Sequence, residues 1–474
     1  MIDIRKQTGT KTGLAIGKQR TYNEVVEYLD AHWATNANSK TLDRIKKLDA
    51  ALGGLAQKVP AVLVAGTNGK SLTINFASKL FKEEGLKVGA FYSPHILTYN
   101  ERLSITGETI SNKIFAEIGN EVINASETEN IEANSYELLT MMAISYFNQN
   151  KVDVALFEVN KDGEFNAANI CDAKVVAITR ATFEDIKTSP EELKATIKEM
   201  SGIIKKDSWL VSGDQNKEHL QMMQDLTVAN GGNWAMPIRK LAALAYPFEQ
   251  LHGRCAALAE RIAQIFVEKF HNKNTVVVTD SLLSKPKGTR GRPSLEAKKQ
   301  LELHPKRTVE QLWTETVSDL PGRFQVLDKE KPTILLDTAN NVDALKNLLL
   351  GIRLMHYKRP LKGLTIIMSA TKDSMHNEEF LKLIRYFFKK TSGQLLICPM
   401  EQALAGANEE SSWDTEQVQN DLKAMKVKAK SCKNFEEAFD IAKKSVDEKY
   451  GLVVITGSVS IINKYWAQKG IKKF

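Results

Sequence analysis

A short glycine-containing loop carries the residues with the clearest chemistry. Residues 64–73 read VAGTNGKSLT. Gly66 and Gly69 let the backbone approach phosphate oxygens closely, Lys70 can reach the β- and γ-phosphates, and the Ser71 hydroxyl has the position that ligates Mg²⁺. The loop is shorter than the G-x-x-x-x-G-K-[ST] form, so an ordinary strand-to-helix turn is the alternative. We predict a nucleotide triphosphate site formed by Gly66, Thr67, Asn68, Gly69, Lys70 and Ser71.

The segments on either side of this loop have the patterns of a buried strand and an amphipathic helix. Residues 59–64 form an apolar run rich in β-branched side chains, and Phe76, Leu80 and Phe81 recur at helical spacing after the loop. A strand, a glycine loop and a helix in this order present free backbone amides and the positive end of a helix dipole to an anion. The flanking elements therefore support phosphate binding.

Strands and helices alternate along the whole chain, which is typical of parallel sheets. Before residue 320 we predict strands at 60–65, 87–92, 152–159, 174–179 and 208–212, with helices at 21–31, 41–52, 72–84, 111–124, 136–149, 190–200 and 254–270. After it we predict strands at 323–328, 332–337, 364–369, 394–398, 427–430 and 451–456, with helices at 341–353, 377–389, 415–424 and 434–447. The pattern predicts an α/β protein with two doubly wound domains, 1–319 and 320–474. The nucleotide site would then lie in an interdomain cleft whose closure gates chemistry.

Composition agrees with a two-domain globular protein. The chain has 474 residues, of which 43% are hydrophobic and 26% charged, and its length exceeds what one core usually organises. No apolar run approaches the ~20 residues that span a bilayer, and residues 1–20 lack the apolar segment of a secretory signal. The four cysteines are far apart and form no C-x-x-C pair, so we expect a reducing cytoplasm. The net charge of +8 suits anionic ligands.

A second segment points to a family. Residues 92–111, YSPHILTYNERLSITGETIS, closely resemble the T-S-P-H-x-x-x-x-x-E-R-I-x-x-x-G-x-x-I-S signature of folylpolyglutamate and dihydrofolate synthases, in the Mur ligase superfamily. Further collinear resemblances occur at 136–140 (YELLT), 152–159 (VDVALFEV), 201–205 (SGIIK), 321–323 (PGR), 337–344 (DTANNVDA), 372–373 (KD) and 456–458 (TGS). The resemblance implies an N-terminal P-loop ATP-binding domain of the Mur ligase type and a smaller Rossmann-like C-terminal domain.

The family resemblance also implies an activity, which is ATP-dependent amide ligation. ATP would phosphorylate a folate or dihydropteroate carboxylate, and the amino group of L-glutamate would attack the acyl phosphate. The implied cofactors are ATP and Mg²⁺, and the implied state is a monomer. Charge on the transferred phosphoryl group must be surrounded by a cation, a lysine and backbone amides, and the acyl phosphate must be kept from water.

Site residues follow from the matching motif positions. Glu158 ends an apolar strand where the family has a Mg²⁺ ligand, and a carboxylate suits a hard cation, although a strand-end surface glutamate is the alternative. The implied catalytic residues are Lys70, Glu158 and Asp185, and the implied metal ligands are Ser71, Glu158 and Asp185. The C-terminal domain would meet ATP through Arg323, Asp337 and Asn340. The implied substrate contacts are Ser93, Pro94, His95, Glu101 and Arg102, of which His95 has an alternative interpretation as a solvated loop residue.

Several positions depart from the family pattern. The metal-binding serine of the family loop falls on Leu72, the metal-binding histidine on Asp185 and the carboxylated lysine on Met200. A thioether has little affinity for Mg²⁺. The histidine of D-G-A-H-N-P falls on Asn340, and the adenine-reading asparagine on Ala259. Two alternatives therefore stay open: a divergent member with lost or altered catalysis that still binds nucleotide or folate, and a Mur-type ligase for another carboxylic acid.

One segment lies outside the family pattern. Residues 284–307 form a basic insertion with several proline and glycine residues, and its tetrapeptide at 290–293, RGRP, resembles the minor-groove-binding core of an AT-hook. Such tetrapeptides recur by chance, so we favour a solvated loop. Nucleic acid is therefore an unlikely partner, and we expect no membrane association.

Overall fold

The computed structural model describes residues 17–35, 39–160, 162–235, 249–271, 315, 319–400 and 412–474. Within these ranges the chain forms two sheets, each flanked by helices. No helix in this part of the chain combines the length and the apolar character that a bilayer crossing requires. The predicted insertion at 284–307 lies outside the described residues, as do residues 1–16.

The first sheet has eight strands. They are β1 (Pro60–Ala65), β2 (Val88–Phe91), β3 (Leu103–Ile105), β4 (Glu108–Thr109), β5 (Val154–Glu158), β6 (Asp172–Ile178), β7 (Trp209–Ser212) and β8 (Asn233–Ala235). Their spatial order is β4-β3-β2-β5-β1-β6-β7-β8. β1 is central and runs parallel to both β5 and β6, whereas β3 and β4 add an antiparallel edge. The carboxyl ends of β1, β5 and β6 therefore meet at one edge of the sheet.

Eight helices accompany this sheet in the described residues. They are α1 (Tyr22–Ala31), α2 (Asp43–Ala51), α3 (Lys70–Glu83), α4 (Asn112–Thr128), α5 (Ser135–Gln149), α6 (Pro190–Ser201), α7 (Lys217–Ala229) and α8 (Glu249–Phe266). Local sequence explains several starts, since Thr21, Asn134 and Ser189 each form a capping box with a glutamate three residues on. A π-helical turn, Val267–His271, extends α8.

The second sheet has six strands. They are β9 (Gln325–Leu327), β10 (Thr333–Asp337), β11 (Leu364–Met368), β12 (Gln394–Ile397), β13 (Ala429–Ser431) and β14 (Leu452–Thr456), in the order β13-β12-β11-β14-β10-β9. Its helices are α9 (Val342–Lys358), α10 (Glu378–Lys390), α11 (Thr415–Ala424), α12 (Phe435–Ser445) and α13 (Val459–Gln468). All neighbouring strands are parallel except β9, which runs antiparallel to β10.

The predicted α/β class with two doubly wound sheets is confirmed. The prediction missed five short or peripheral elements, which are β3, β4, β8, α7 and α13. It also began α3 two residues late, because Gly69 at φ +89° ends the loop and allows the helix to start at Lys70. Residues 316–318 are outside the described ranges, so the domain boundary at 319/320 stays a prediction.

The two sheets are joined by packing and by hydrogen bonds. α8 packs against α3 of the first sheet and also contacts α9 of the second. The side-chain amide of Asn463 on α13 donates to the carbonyl of Ile96 at 2.8 Å. Lys187 Nζ lies 2.8 Å from Asp373 Oδ1 across the same junction. These contacts hold the second domain over the carboxyl edge of the first sheet.

Candidate active site

The glycine loop lies between β1 and α3, at the carboxyl edge of the first sheet. Gly66 has φ +124°, and a Cβ there would lie 2.1 Å from the Thr179 hydroxyl, so a side chain cannot be placed without displacing the next strand's end. The Thr67 amide donates to the Arg180 carbonyl at 2.7 Å. The loop is therefore fixed to the residues that follow β6.

Lys70 folds back over the loop. Its ammonium group donates to the carbonyls of Gly66 at 2.8 Å and Thr67 at 3.1 Å. The ammonium charge therefore lies against the loop, and Lys70 is also the first residue of α3, where backbone amides are free. An incoming phosphate can take the place of these carbonyls, because it offers the ammonium a charged acceptor instead of a neutral one.

Ser71 and Glu158 bring two oxygens together beneath the loop. Ser71, in the first turn of α3, donates from Oγ to Glu158 Oε2 at 2.9 Å, and the Ser93 amide donates to the same oxygen at 3.2 Å. Glu158 ends β5, the neighbour of β1, and is 3% exposed. Because burying a carboxylate without a cation is costly, this pair suits a hard divalent cation.

A cavity of about 300 Å³ separates the loop from the second domain. The cationic side chains that line it are Lys70, Arg180, Arg254 and Arg323, and the acidic ones are Glu158, Asp337 and Asp343. Leu72, Cys255, Leu258 and Leu348 form apolar parts of its wall. A cavity lined by both cationic and apolar side chains fits a nucleotide, which carries phosphates at one end and an aromatic base at the other.

The second domain contributes the residues at the end of β10. Arg323 donates from a terminal nitrogen to the Thr338 hydroxyl at 2.9 Å. Asp337 accepts the amides of Phe324 at 2.8 Å and Ala339 at 2.9 Å. Burial nevertheless raises the pKa of Asp337 from 3.8 to about 6. Asn340, which the sequence analysis proposed as an ATP contact, also lines the cavity.

The segment 93–102 is held by its own glutamate and arginine. Glu101 accepts the amides of Ile96, Leu97 and Thr98 at 2.6–2.8 Å, so it shapes the loop. Ser93 and Pro94 line the cavity, whereas His95, Glu101 and Arg102 are not among its lining residues.

Arg102 is the support of this segment. It is 3% exposed and donates from Nε to His95 Nδ1 at 2.8 Å and from a terminal nitrogen to Ser93 Oγ at 3.1 Å. Its guanidinium lies 5.2 Å from the Trp33 ring centre and 5.7 Å from that of Tyr99. Burial, and then the Arg102 charge, lower the pKa of His95 to about 2, so this imidazole is neutral and accepts from Arg102.

The residues at the family's second metal position do not assemble a site. Asp185 accepts the Lys187 amide at 2.7 Å, within its own turn. Met200 is 1% exposed and packs in the apolar core with Ile197 and Ile203. Across the described ranges, no cluster of three or more His, Cys, Asp or Glu side chains is placed to hold a metal. Ser71 and Glu158 thus fit one Mg²⁺, and Met200 offers no ligand for a second.

Sequence reasoning missed Arg180, Arg254, Asn341 and Asp343. None of them has a role in the motifs discussed above. One signal was present for Arg180, which follows the end of β6 beside the central strand, where ligands bind in open α/β sheets. Asp343 reaches the site only through the packing of the two domains, for which the sequence has no local pattern.

Comparison with known proteins gives a consistent match. The chain is 26% identical over 356 residues to the dihydrofolate synthase/folylpolyglutamate synthase of Bacillus subtilis, covering 72% of this chain and 78% of that one. The Escherichia coli protein of the same description is 34% identical over a shorter stretch of 152 residues, 30% of this chain and 35% of the relative. No protein-family model matches.

Solved structures match over nearly the whole chain. The bifunctional folylpolyglutamate synthase/dihydrofolate synthase of Yersinia pestis superposes with a TM-score of 0.72 at 22% identity, covering 95% of this chain and 99% of that one. The folylpolyglutamate synthase of Mycobacterium tuberculosis gives a TM-score of 0.71 at 19% identity, covering 95% and 98%. These likenesses establish the fold.

Two α/β domains that face each other across a cavity, with a glycine loop and a buried Ser–Glu pair lining it, place the chain in the fold class of the solved folylpolyglutamate synthases. The collinear motifs and the extended match to the Bacillus subtilis protein narrow this class. Within it, the chain is similar in sequence and in fold to folylpolyglutamate and dihydrofolate synthases.

Proposed function

We propose that the protein is an ATP-dependent amide ligase that joins L-glutamate to a folate or dihydropteroate carboxylate through an acyl phosphate. The observation that carries this proposal is the Ser71–Glu158 pair, with its 2.9 Å hydrogen bond, beside Lys70 and across the cavity from Arg323. Together these residues place a cation site, a loop lysine and an arginine of the second domain around one cavity.

The residues divide the work of phosphoryl transfer. Lys70 and the amides at the start of α3 would bind the terminal phosphates, and Arg323 would approach them from the second domain. Magnesium, held by Ser71 and Glu158, would neutralise charge on the transferred group. Closure of the two domains around Ser93 and Pro94 would keep the acyl phosphate from water until the amine attacks.

Bound molecules in relatives support the choice of substrates. One bifunctional folylpolyglutamate synthase/dihydrofolate synthase structure is described with Mn, AMPPNP and L-glutamate bound, and an Escherichia coli structure as in complex with DHPP and ADP. We propose the corresponding substrates for this chain: ATP with a divalent cation, L-glutamate, and a pterin acid.

A second candidate is a family member that binds nucleotide or folate but has lost or altered its catalysis. Two specific observations favour it. Met200 is enclosed in the core where the family places a metal-supporting lysine, and Asp185, at the family's metal-binding histidine position, accepts the Lys187 amide and is not part of the cavity lining. The methionine removes one ligand for a second cation, whereas the first cation site is intact.

Phosphate release separates the two candidates. ATP, Mg²⁺ and L-glutamate would be supplied with dihydropteroate or tetrahydrofolate, and inorganic phosphate and the amide product measured. Lys70→Ala should abolish the signal. Lys82→Ala is the matched control, because Lys82 lies on the same helix and is exposed, with its ammonium directed at the Thr106 carbonyl.

The outcomes are distinct. Phosphate release that needs both the pterin acid and glutamate, and is lost in Lys70→Ala, supports the ligase. Nucleotide or folate binding by calorimetry without product supports the second candidate. Turnover with a different carboxylic acid and none with either pterin acid would show a Mur-type ligase for another substrate.

We also propose a cytoplasmic monomer that does not bind nucleic acid, on the strength of the family resemblance. Light scattering during gel filtration tests the monomer, and fractionation of cells tests the location. Retention on DNA at low salt that disappears when residues 284–307 are deleted would contradict the last part of the proposal.

A further inference from the structure

Arg180 is attached to the glycine loop through its backbone. It follows β6 at the carboxyl edge of the first sheet, and its carbonyl accepts the Thr67 amide at 2.7 Å. Its side chain is 35% exposed and lines the cavity together with the loop. A guanidinium anchored in this way stays within reach of whatever the loop binds.

The partner of Arg180 is a carboxylate from the opposite domain. A terminal nitrogen of Arg180 lies 2.8 Å from Asp343 Oδ1, and the Asn68 side-chain amide donates to Asp343 Oδ2 at 3.0 Å. Asp343, in the first turn of α9, therefore takes one donor from Arg180 and one from the loop. Asn341 exchanges amide hydrogen bonds with Asn68 at 3.1 and 3.0 Å.

The surrounding charges indicate that a stronger anion belongs here. Two guanidinium groups, those of Arg180 and Arg254, line the cavity, and burial, followed by the Arg180 charge, lowers the pKa of Arg254. Lys70 has only neutral carbonyls as partners in the described structure. Asp343 is the carboxylate that pairs with Arg180, and a di- or triphosphate would offer these cations more negative charge than that one carboxylate does.

We infer that Arg180 is a phosphate-binding residue that exchanges partners, pairing with Asp343 in the free protein and with the nucleotide phosphates in the complex. Asp343 then competes with the nucleotide for Arg180 and Asn68. The inference rests on the nucleotide-binding part of the proposed function and is independent of the glutamate and folate chemistry.

Opposite effects of two single substitutions test the exchange. Affinities for Mg·ADP and for a non-hydrolysable ATP analogue would be measured by calorimetry, with adenosine as the ligand that lacks phosphates. Arg180→Gln should weaken both nucleotides about tenfold or more, and Asp343→Asn should tighten them several-fold. Arg180→Lys should retain part of the affinity, and the double variant should match Arg180→Gln.

A matched control removes a different interdomain ion pair. Lys187→Gln breaks the 2.8 Å pair with Asp373, outside the cavity lining, and should leave nucleotide affinity unchanged. Thermal unfolding without ligand confirms that every variant is folded.

Several results would overturn the inference. Equal weakening by Arg180→Gln and Asp343→Asn would show that the pair only fastens the domains together. An equal loss of adenosine binding in Arg180→Gln would show that the phosphates are not its target. A wild-type protein that binds nucleotide without ligating glutamate would contradict the proposed function and leave this inference standing, whereas no nucleotide binding at all would overturn both.

Discussion

The Ser71 hydroxyl donates to a carboxylate oxygen of Glu158 across 2.9 Å, which joins the first turn of the loop helix to the end of the neighbouring strand. The pairing follows from the sheet, since β1 and β5 are adjacent and parallel and end at the same edge. The two oxygens are fixed at a spacing that a cation can bridge, and the buried carboxylate lacks a cationic side chain within hydrogen-bonding distance in the described structure.

Glu158→Gln should reduce Mg²⁺-dependent turnover at least about 100-fold while leaving the fold intact. The amide has the shape of the carboxylate and can still accept from Ser71, but it carries no charge for a divalent cation. Phosphate release as a function of Mg²⁺ concentration measures the effect. Glu129→Gln, an exposed change at the end of α4, is the control. Full activity in Glu158→Gln would show that the cation is held elsewhere.

Asp337 should make stability depend on pH. Burial raises its pKa from 3.8 to about 6, so the folded protein holds this proton more tightly than the unfolded chain does. The stabilising contribution is complete below pH ~4 and is lost as the pH rises through ~6. Compared with Asp337→Asn, the wild-type free energy of unfolding should therefore fall across this window and level off above pH ~7. Denaturant titrations at several pH values test this, and parallel curves for the two proteins would contradict it.

The sequence predicted the parts of the site that have local patterns. The loop at 66–71 is recognisable because phosphate binding requires glycine conformations, a lysine and a hydroxyl in consecutive positions. The central strands are recognisable because a strand buried on both faces is a continuous apolar run. These two signals are sufficient to place Lys70, Ser71 and Glu158 at one edge of a sheet.

Contacts between segments that are distant in sequence could not be predicted from such local patterns. Asp343 meets Arg180 and Asn68 only because the second domain docks on the first sheet, and although Asp343 lies in the 337–344 match, the motif assigns it no partner. Glu101 and Arg102 were predicted as substrate contacts from a motif, which records that residue types recur but not whether they touch substrate or hold a loop. The short edge strands β3 and β4 were not predicted, because segments of three and two residues are too short to show a strand periodicity.

Arg102→Lys should lower both the stability of the segment 93–102 and the turnover rate, although Arg102 itself does not line the cavity. Lysine has one ammonium group and cannot reproduce the pair of bonds that the planar guanidinium makes to His95 and Ser93 beside two aromatic rings. We expect a lower thermal midpoint and, because Ser93 lines the cavity, a fall in kcat larger than the change in KM for ATP. Arg359→Lys, on the surface beside Tyr450, is the matched control. A change in stability with unaltered kinetics would limit Arg102 to a structural role.

Met200→Lys tests whether the missing family ligand can be restored. Met200 is 1% exposed among apolar side chains, and a Cβ added to the neighbouring Gly163 would lie 2.5 Å from its Cα, so the position is tightly enclosed. An ammonium group there would lose its hydration without gaining a partner. We expect the free energy of unfolding to fall by at least about 2 kcal/mol, with no gain in phosphate release.

Met200→Leu is the matched control, since a swap that conserves volume and apolar character should cost less than about 1.5 kcal/mol. Unfolding of both variants by denaturant, and turnover over a range of Mg²⁺ concentrations, separate the two explanations of this position. If the lysine variant is stable and its turnover rises with a second, weaker Mg²⁺ dependence, the enclosing residues can open toward the cavity, and the chain has lost a ligand but kept its site. If it is unstable and gains nothing, the core has been rebuilt around methionine, and any ligase activity of this protein proceeds with the single cation position at Ser71 and Glu158.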